Sequence, residues 1–92
     1  MNKADLTEIL ADRAAIPKVR AAHYINILTG AVEEALVREE KVTLSDFGTF
    51  TVSKRRGFKG HNPKSGTSMA VPERRIPVFR AGKKLKKSLN PE

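Results

Sequence analysis

The hydrophobic period of this chain changes once, near Glu39 and Glu40, and this change constrains the fold more than any other feature. Before it, apolar residues recur every three or four positions, as on the face of an α-helix. After it, apolar and polar residues alternate, as in β-strands with one buried face. Helices followed by strands predict an α+β fold.

Two helices are expected before the change of period. Asn2 is a suitable cap for the first, which spans about residues 3 to 14. Pro17 disfavours helical geometry at the residue before it but suits a helix start, so the second helix runs from there to about Arg38. Its apolar residues cover more than one stripe, which a small monomer has little means to bury. A second subunit is the economical explanation.

Strands are expected at 41–44 and 49–53, joined by a turn at 45–48. A third apolar strand includes Ile76, Val78 and Phe79, and Pro77 indicates that this strand is either an edge strand or an irregular one. A short lysine-rich helix closes the chain.

Residues 53–75 have a different composition from the strands around them. They include seven basic residues, one acidic residue and only three large apolar ones. Such a segment cannot supply its own core. Turn-forming residues at 62–66, near its midpoint, predict a protruding β-ribbon arm.

The net charge of +8 is concentrated in the second half of the chain. Residues 1–46 hold six basic and eight acidic side chains, whereas residues 47–92 hold twelve basic and two acidic ones. This imbalance predicts a polyanionic partner, most often nucleic acid. The cations expected along the arm are Lys54, Arg55, Arg56, Lys59, Lys64, Arg74 and Arg75. A second set would extend the same surface along the body: Arg80, Lys83, Lys84, Lys86 and Lys87.

Pro63 is expected at the tip of the arm. A rigid apolar ring in this position can enter a base step from the minor groove, unstack it and leave a kink. The alternative is an ordinary turn proline at the second position of a β-turn. Both interpretations can hold at once.

Catalysis finds little support in the sequence. His23 and His61 have no spacing that would bring them together, and Asp46-Phe47-Gly48, although it spells a kinase magnesium motif, stands without the other kinase loops. Cysteine is absent, which excludes disulfides and thiolate metal sites. We therefore expect no enzyme activity, metal, cofactor or small-molecule substrate. No long apolar run or signal-peptide pattern is found, so we expect a cytoplasmic protein without a membrane role.

Four segments together resemble the HU and integration host factor family of bacterial DNA-bending proteins. These segments are Met1 to Leu6, Phe47-Gly48-Thr49-Phe50, Asn62-Pro63-Lys64-Ser65-Gly66, and Pro77 to Lys86. Any one of them would be a weak signal, but the combination is specific, and the resemblance covers nearly the whole chain.

The resemblance implies an intertwined dimer with an N-terminal helical hairpin, a three-stranded antiparallel sheet extended into a long β-ribbon arm, and a short C-terminal helix. Its single domain, 1–92, would comprise a dimerisation part (1–38), a saddle sheet (41–52 and 76–81), the DNA-binding arm (53–75) and the C-terminal helix (83–90). The dimer core would hold Leu28, Val32, Leu36, Leu44, Phe47, Phe50 and Phe79. His61 and Asn62 would join the cations of the arm.

The implied function is that of a histone-like nucleoid protein. It would bind duplex DNA in the minor groove with little sequence preference, then bend and compact it with Pro63 as the intercalating wedge. Bent, nicked or flexible DNA would bind more tightly, because less energy is spent on bending. A site-specific bender of the integration host factor kind is the nearest alternative, and a basic RNA-binding or ribosomal protein is a more distant one. The partner chain would be a second copy or a paralogue.

His61 departs from the family pattern, which usually has arginine directly before Asn-Pro. Arginine is charged at any cellular pH, whereas an unperturbed imidazole has a pKa of about 6.5. We therefore expect the arm tip to bind DNA less tightly, or with a modest dependence on pH.

Overall fold

The structure is a computed structural model that describes residues 1–55, 58–61 and 68–91, with side-chain surroundings for 1–55 and 72–91. The helices and strands, in chain order, are α1 (Lys3–Ala14), α2 (Lys18–Val37), β1 (Val42–Leu44), β2 (Gly48–Arg55), β3 (Phe58–His61), β4 (Ser68–Val71), β5 (Arg74–Ala81) and α3 (Lys83–Leu89). This order confirms the predicted α+β class. The chain divides into two compact units, residues 1–35 and 36–92. Within the described ranges, no helix is long and apolar enough to cross a membrane.

Helix α1 begins at a pair of capping hydrogen bonds and ends at a residue in the left-handed conformation. The Asn2 side chain accepts a hydrogen bond from the Asp5 N–H at 3.0 Å, and the Asn2 N–H donates to the Asp5 carboxylate at 3.0 Å. This reciprocal pair is a capping box, which satisfies two backbone donors that the helix leaves unpaired. Ala15 ends the helix in a left-handed conformation with a φ of 55°. The predicted cap and span of α1 are therefore confirmed.

Helix α2 begins one residue later than predicted. The Pro17 carbonyl accepts a hydrogen bond from the Ala21 N–H at 3.0 Å, so Pro17 precedes the first helical residue instead of occupying that position. The helix ends at Val37, and Glu39 follows with a left-handed φ of 59°. Glycine is the low-cost residue in this conformation, and any other residue costs roughly 1–2 kcal/mol.

Strand β2 is the centre of a three-stranded antiparallel sheet with the order β1-β2-β5. Residues directly opposite each other in such a sheet lie on the same face, and successive residues lie on opposite faces. The register therefore gives the sheet one apolar face, with Val42, Leu44, Phe50, Val52 and Phe79. The other face carries Thr43, Thr49, Thr51, Ser53 and Arg80, together with the apolar residues Ile76 and Val78 of β5.

The apolar face contains a cluster of three phenylalanines. Phe79 lies 4.9 Å from Phe50 and 5.5 Å from Phe47, measured between ring centroids. Gly48 lies under the Phe79 ring, where a Cβ atom would stand 2.5 Å from the ring atom Cζ. Phe79 thus contacts both of the other phenylalanines that the resemblance places in the dimer core, within a single chain.

Strands β3 and β4 form a separate antiparallel pair along the predicted arm. Phe58 pairs with Val71, and His61 pairs with Ser68. These two strands fall between β2 and β5 in the sequence, as the limbs of the predicted ribbon should. The predicted tip at 62–66 lies outside the described residues.

A single chain buries very little apolar surface. Among the described side chains, the buried hydrophobic ones are Ala11, Ala21 and Ala35, and no large side chain is fully buried. Exposed large apolar residues of the first unit include Leu6, Val19, Tyr24, Ile27 and Leu28. Those of the second unit include Val37, Leu44, Phe47, Phe79 and Leu89. A chain of this size with so thin a core lacks the usual means to fold alone.

Candidate nucleic-acid interface

Four cations meet at the ends of β2 and β5 that lead into the arm. Lys54 lies opposite Arg75, and Arg55 lies opposite Arg74. Opposite residues in antiparallel strands have Cβ atoms about 5 Å apart, and like charges in such a pair repel each other. Because successive residues alternate between faces, each face of the ribbon base carries one of these cationic pairs. All four residues are exposed, so an anion can reach them from solvent.

One of the two pairs is offset by a nearby acidic side chain. The Glu39 oxygen Oε1 lies 3.1 Å from Lys54 Nζ and 3.8 Å from Arg75 Nη1. The same Arg75 nitrogen donates a hydrogen bond to the Val37 carbonyl at 2.9 Å. Within the described part of the chain, no carboxylate lies within ion-pair distance of Arg55 or Arg74.

The polar face of the sheet holds a shallow depression with cations at its edge. Arg80 lies opposite Thr49, whose hydroxyl donates a hydrogen bond to the Thr43 hydroxyl at 3.3 Å. Hydroxyl and guanidinium groups of this kind bind phosphate oxygens without reading base sequence. The depression has no acidic residue in its lining, which consists of Lys41, Thr49, Thr51, Val52, Ser53, Val78, Arg80, Ala81 and Gly82.

Helix α3 adds four lysines to the same compact unit. The Gly82 N–H donates a hydrogen bond to the Phe47 carbonyl at 2.7 Å, which sets the start of the helix against the turn between β1 and β2. A Cβ atom at Gly82 would stand 3.1 Å from that carbonyl oxygen, so a larger residue there would press on the turn. The four exposed lysines are Lys83, Lys84, Lys86 and Lys87.

The structure brings many of the sequence-predicted DNA-binding residues into one unit. Residues 36–92 contain the cationic pairs at the ribbon base, Arg80 and the lysines of α3. On the ribbon itself, the backbone of Lys59 pairs with Ala70 and that of His61 with Ser68. Four predicted residues lie outside the described ones: Arg56, Asn62, Pro63 and Lys64.

Sequence reasoning missed two groups of residues at this interface. The hydroxyls of Thr49, Thr51 and Ser53 line the depression, and strand alternation alone would have placed them on one face. From the sequence, Glu39 stands out only as one of the two residues near which the hydrophobic period changes. Its contacts with Lys54 and Arg75 depend on the register of β2 and β5, which no local pattern specifies.

The predicted dimer-core residues are incompletely covered in one chain. Leu28 is 59% exposed, Phe47 is 48% exposed and Phe79 is 41% exposed. Leu44 is also exposed, whereas Val32, Leu36 and Phe50 are half-buried. Within the described residues, no group of three or more His, Cys, Asp or Glu side chains is placed to hold a metal ion.

The family of this chain follows from comparison with known proteins. Residues 1–90 match the profile of the family described as bacterial DNA-binding protein. The chain therefore belongs to this family, which is one of structural DNA-binding proteins and not of enzymes. It is 43% identical over 89 residues to DNA-binding protein HU-beta of Neisseria meningitidis serogroup A, covering 97% of this chain and 100% of the relative. DNA-binding protein HU of Staphylococcus aureus is 37% identical over 86 residues, covering 94% of this chain and 96% of the relative.

Solved structures of HU proteins also match this chain. HU of Anabaena, in a cocrystal structure with DNA, matches with a TM-score of 0.86 and 34% identity, covering 100% of both chains. HU of Thermotoga maritima matches with a TM-score of 0.70 and 26% identity, covering 97% of this chain and 98% of that one. The predicted membership of the HU and integration host factor family is confirmed.

Proposed function

We propose that this protein is a non-enzymatic, histone-like nucleoid protein that binds duplex DNA with little sequence preference and bends it. The observation that carries the proposal is that positively charged residues lie opposite each other on paired strands at the ribbon base. Lys54 lies opposite Arg75, and Arg55 lies opposite Arg74. A phosphate backbone relieves this repulsion and releases counterions on binding. The cocrystal structure of Anabaena HU with DNA supports the same partner.

Bending follows from combining a cationic sheet with two-stranded arms. Phosphates would lie on the polar face of the sheet, near Arg80, while each ribbon follows the minor groove and Pro63 wedges open a base step. Smooth bending of a duplex costs of order 1–6 kcal/mol, which the added phosphate contacts repay. Nicked, gapped or already bent DNA avoids part of that cost and would bind more tightly.

A dimer is the assembly that fits the burial pattern. Each chain exposes apolar side chains on α2 and around its phenylalanine cluster, and Leu28 and Phe79 are among them. Covering such surface is worth about 25 cal/mol per Å². A homodimer, or a heterodimer with a paralogue, would place two ribbons on one duplex. The protein would then be cytoplasmic and associated with the nucleoid.

A site-specific protein of the integration host factor kind is the second candidate. The relatives described above are HU proteins, which favours weak sequence preference. Selection from a pool of random duplexes separates the two candidates, since enriched motifs would support site-specific binding and an unchanged pool would support the first proposal. A monomer that prefers RNA in sedimentation would instead support an RNA-binding role.

The salt dependence of DNA binding tests the proposal directly. We expect log affinity to fall linearly with log salt, with a slope of about −0.9 for each phosphate neutralised. Arg80→Gln should weaken binding to all sequences and reduce the magnitude of the slope by about 1 for each phosphate that it no longer neutralises. Lys18→Gln removes the same charge from the other unit, where Lys18 pairs with Glu8 at 3.3 Å, and should leave the slope unchanged. Binding that is absent, or independent of salt, would contradict the proposal.

A further inference from the structure

The two cationic pairs at the ribbon base lie on opposite faces of the sheet. Strand alternation places Arg55 and Arg74 on the face that carries Arg80 and the hydroxyl groups of β2. The same alternation places Lys54 and Arg75 on the face of the phenylalanine cluster. Phosphates held on the face of Arg80 therefore lie on the side of Arg55 and Arg74, and the other pair lies on the far side of the sheet from them.

The pair on the apolar face is bonded to residues at the end of helix α2. Arg75 Nη1 donates a hydrogen bond to the Val37 carbonyl at 2.9 Å. The Glu39 oxygen Oε1 lies 3.1 Å from Lys54 Nζ and 3.8 Å from Arg75 Nη1. All of these contacts lie within the unit formed by residues 36–92. Each strand of the ribbon base is thus joined, through one cation, to the segment where α2 ends.

The ribbon depends on its base for its direction. Two paired strands alone are marginally stable in water, so the ribbon is held most firmly where β2 and β5 belong to the three-stranded sheet. The contacts of Glu39 lie at that junction. Each exposed ion pair is weak by itself. Here, however, one carboxylate and one carbonyl share the same guanidinium, and such a connected set orders its side chains more strongly than separate pairs do.

We propose that Glu39, Lys54 and Arg75 are positioning residues that hold the ribbon in the direction that bends DNA, and that they stay paired with one another in the complex. Arg55 and Arg74, on the opposite face, contact phosphate instead. The inference rests on the proposed function and divides its cations into two roles. A ribbon that is already held at its base loses less freedom on binding and keeps its direction against a stiff duplex, so these contacts favour bending without neutralising a phosphate.

Two double variants that remove the same charge from the two faces test this division of roles. Arg55→Gln with Arg74→Gln should reduce the magnitude of the slope of log affinity against log salt by about 1 to 2, since up to two phosphate contacts are lost. Lys54→Gln with Arg75→Gln should change that slope by less than about 0.5, because no phosphate contact is lost. An equal loss of slope from both double variants would overturn the proposal.

Glu39→Gln separates positioning from charge, because it breaks these contacts while it makes the protein more positive. Bending is measured at saturating protein, by energy transfer between dyes at the ends of a duplex of about 30 bp. We expect the variant to reduce the energy-transfer change about 1.5- to 2-fold, although its added positive charge favours DNA binding. Glu39→Asn removes the same charge and suits the left-handed backbone at a φ of 59°, and it should bend DNA equally poorly if the glutamine variant folds badly.

The neighbouring Glu40 provides a matched control. It pairs with Arg38 at 3.3 Å, and in the described residues it makes no ion pair with the ribbon base. Glu40→Gln removes the same charge one residue away and should bend the duplex as the parent does. An equal loss of bending from both variants would overturn the proposal, as would a Glu39→Gln variant that bends the duplex as strongly as the parent.

A background lacking both cations tests whether Glu39 acts through them. The Lys54→Gln, Arg75→Gln double variant should itself bend the duplex less than the parent, and adding Glu39→Gln should cause no further loss. A further loss would mean that Glu39 acts through other residues and would overturn the proposal. If the parent protein itself neither binds nor bends DNA, the proposed function fails instead, so the two failures are distinguishable.

Discussion

Gly48 is the residue whose replacement the sheet should tolerate least. A Cβ atom there would stand 2.5 Å from a Phe79 ring carbon and 2.7 Å from the Arg80 carbonyl oxygen, and the backbone oxygen cannot move without disturbing β5. We expect Gly48→Ala to lower the free energy of unfolding by about 1–3 kcal/mol, as overpacking does. Urea denaturation at a fixed protein concentration measures this. Gly30→Ala is the comparison, since no atom of the same chain lies within 4 Å of a Cβ atom there and alanine favours the helix by about 1 kcal/mol. Equal effects of the two substitutions would contradict the role assigned to Gly48.

For single residues, the sequence predicts the features that depend on neighbours a few positions away in the chain. The sequence predicted Asn2 as the cap of α1 from its residue type, and the structure adds the reciprocal hydrogen bond to Asp5. The left-handed conformation of Glu39 was not predicted, because glutamate carries no preference for it. Its carboxylate pairs with Lys54 and Arg75, which lie well downstream in the chain, and no local sequence pattern reveals such a contact.

The lengths of the strands are where the sequence prediction and the structure differ most. The alternation ending at residue 53 predicted a strand that stops before the cations, yet β2 continues to Arg55 because β5 pairs with it as far as Arg74. Basic composition therefore did not mark the end of the sheet. Pro77 predicted an edge strand or an irregular one, and β5 is at the edge of the order β1-β2-β5. A residue without an N–H donor fits where only one neighbour strand must be paired.

The arm is the element proposed to bend DNA, and Pro63 is the residue proposed to make the kink. Pro63→Ala should reduce bending more than it reduces affinity, because phosphate contacts along the ribbon and sheet remain while the wedge that unstacks a base step is removed. Minicircle ligation of short duplexes measures bending, and titration of the same duplexes measures affinity. Equal ligation by variant and parent would remove Pro63 from the mechanism.

As a whole molecule, this chain combines a thin core with a strongly uneven charge. The sequence predicted the thin core and the uneven charge, because it contains few large apolar residues and its second half is strongly basic. The pairing of Lys54 with Arg75 and the depression on the sheet were not predicted, because they arise from strand register. The exposed apolar side chains and the cationic ribbon base together favour two chains acting on one duplex.

The central claim is that two copies of this chain bend one DNA duplex. Energy transfer between dyes at the two ends of a duplex of about 30 bp, titrated with the protein at low salt, tests it most directly. The proposed function predicts that the ends approach each other and that the change saturates at two chains per duplex. Raising the salt should reverse the change, because counterions then compete with the protein for the phosphates. A saturated complex in which the ends stay as far apart as in free DNA, or one with a single chain per duplex, would contradict the claim.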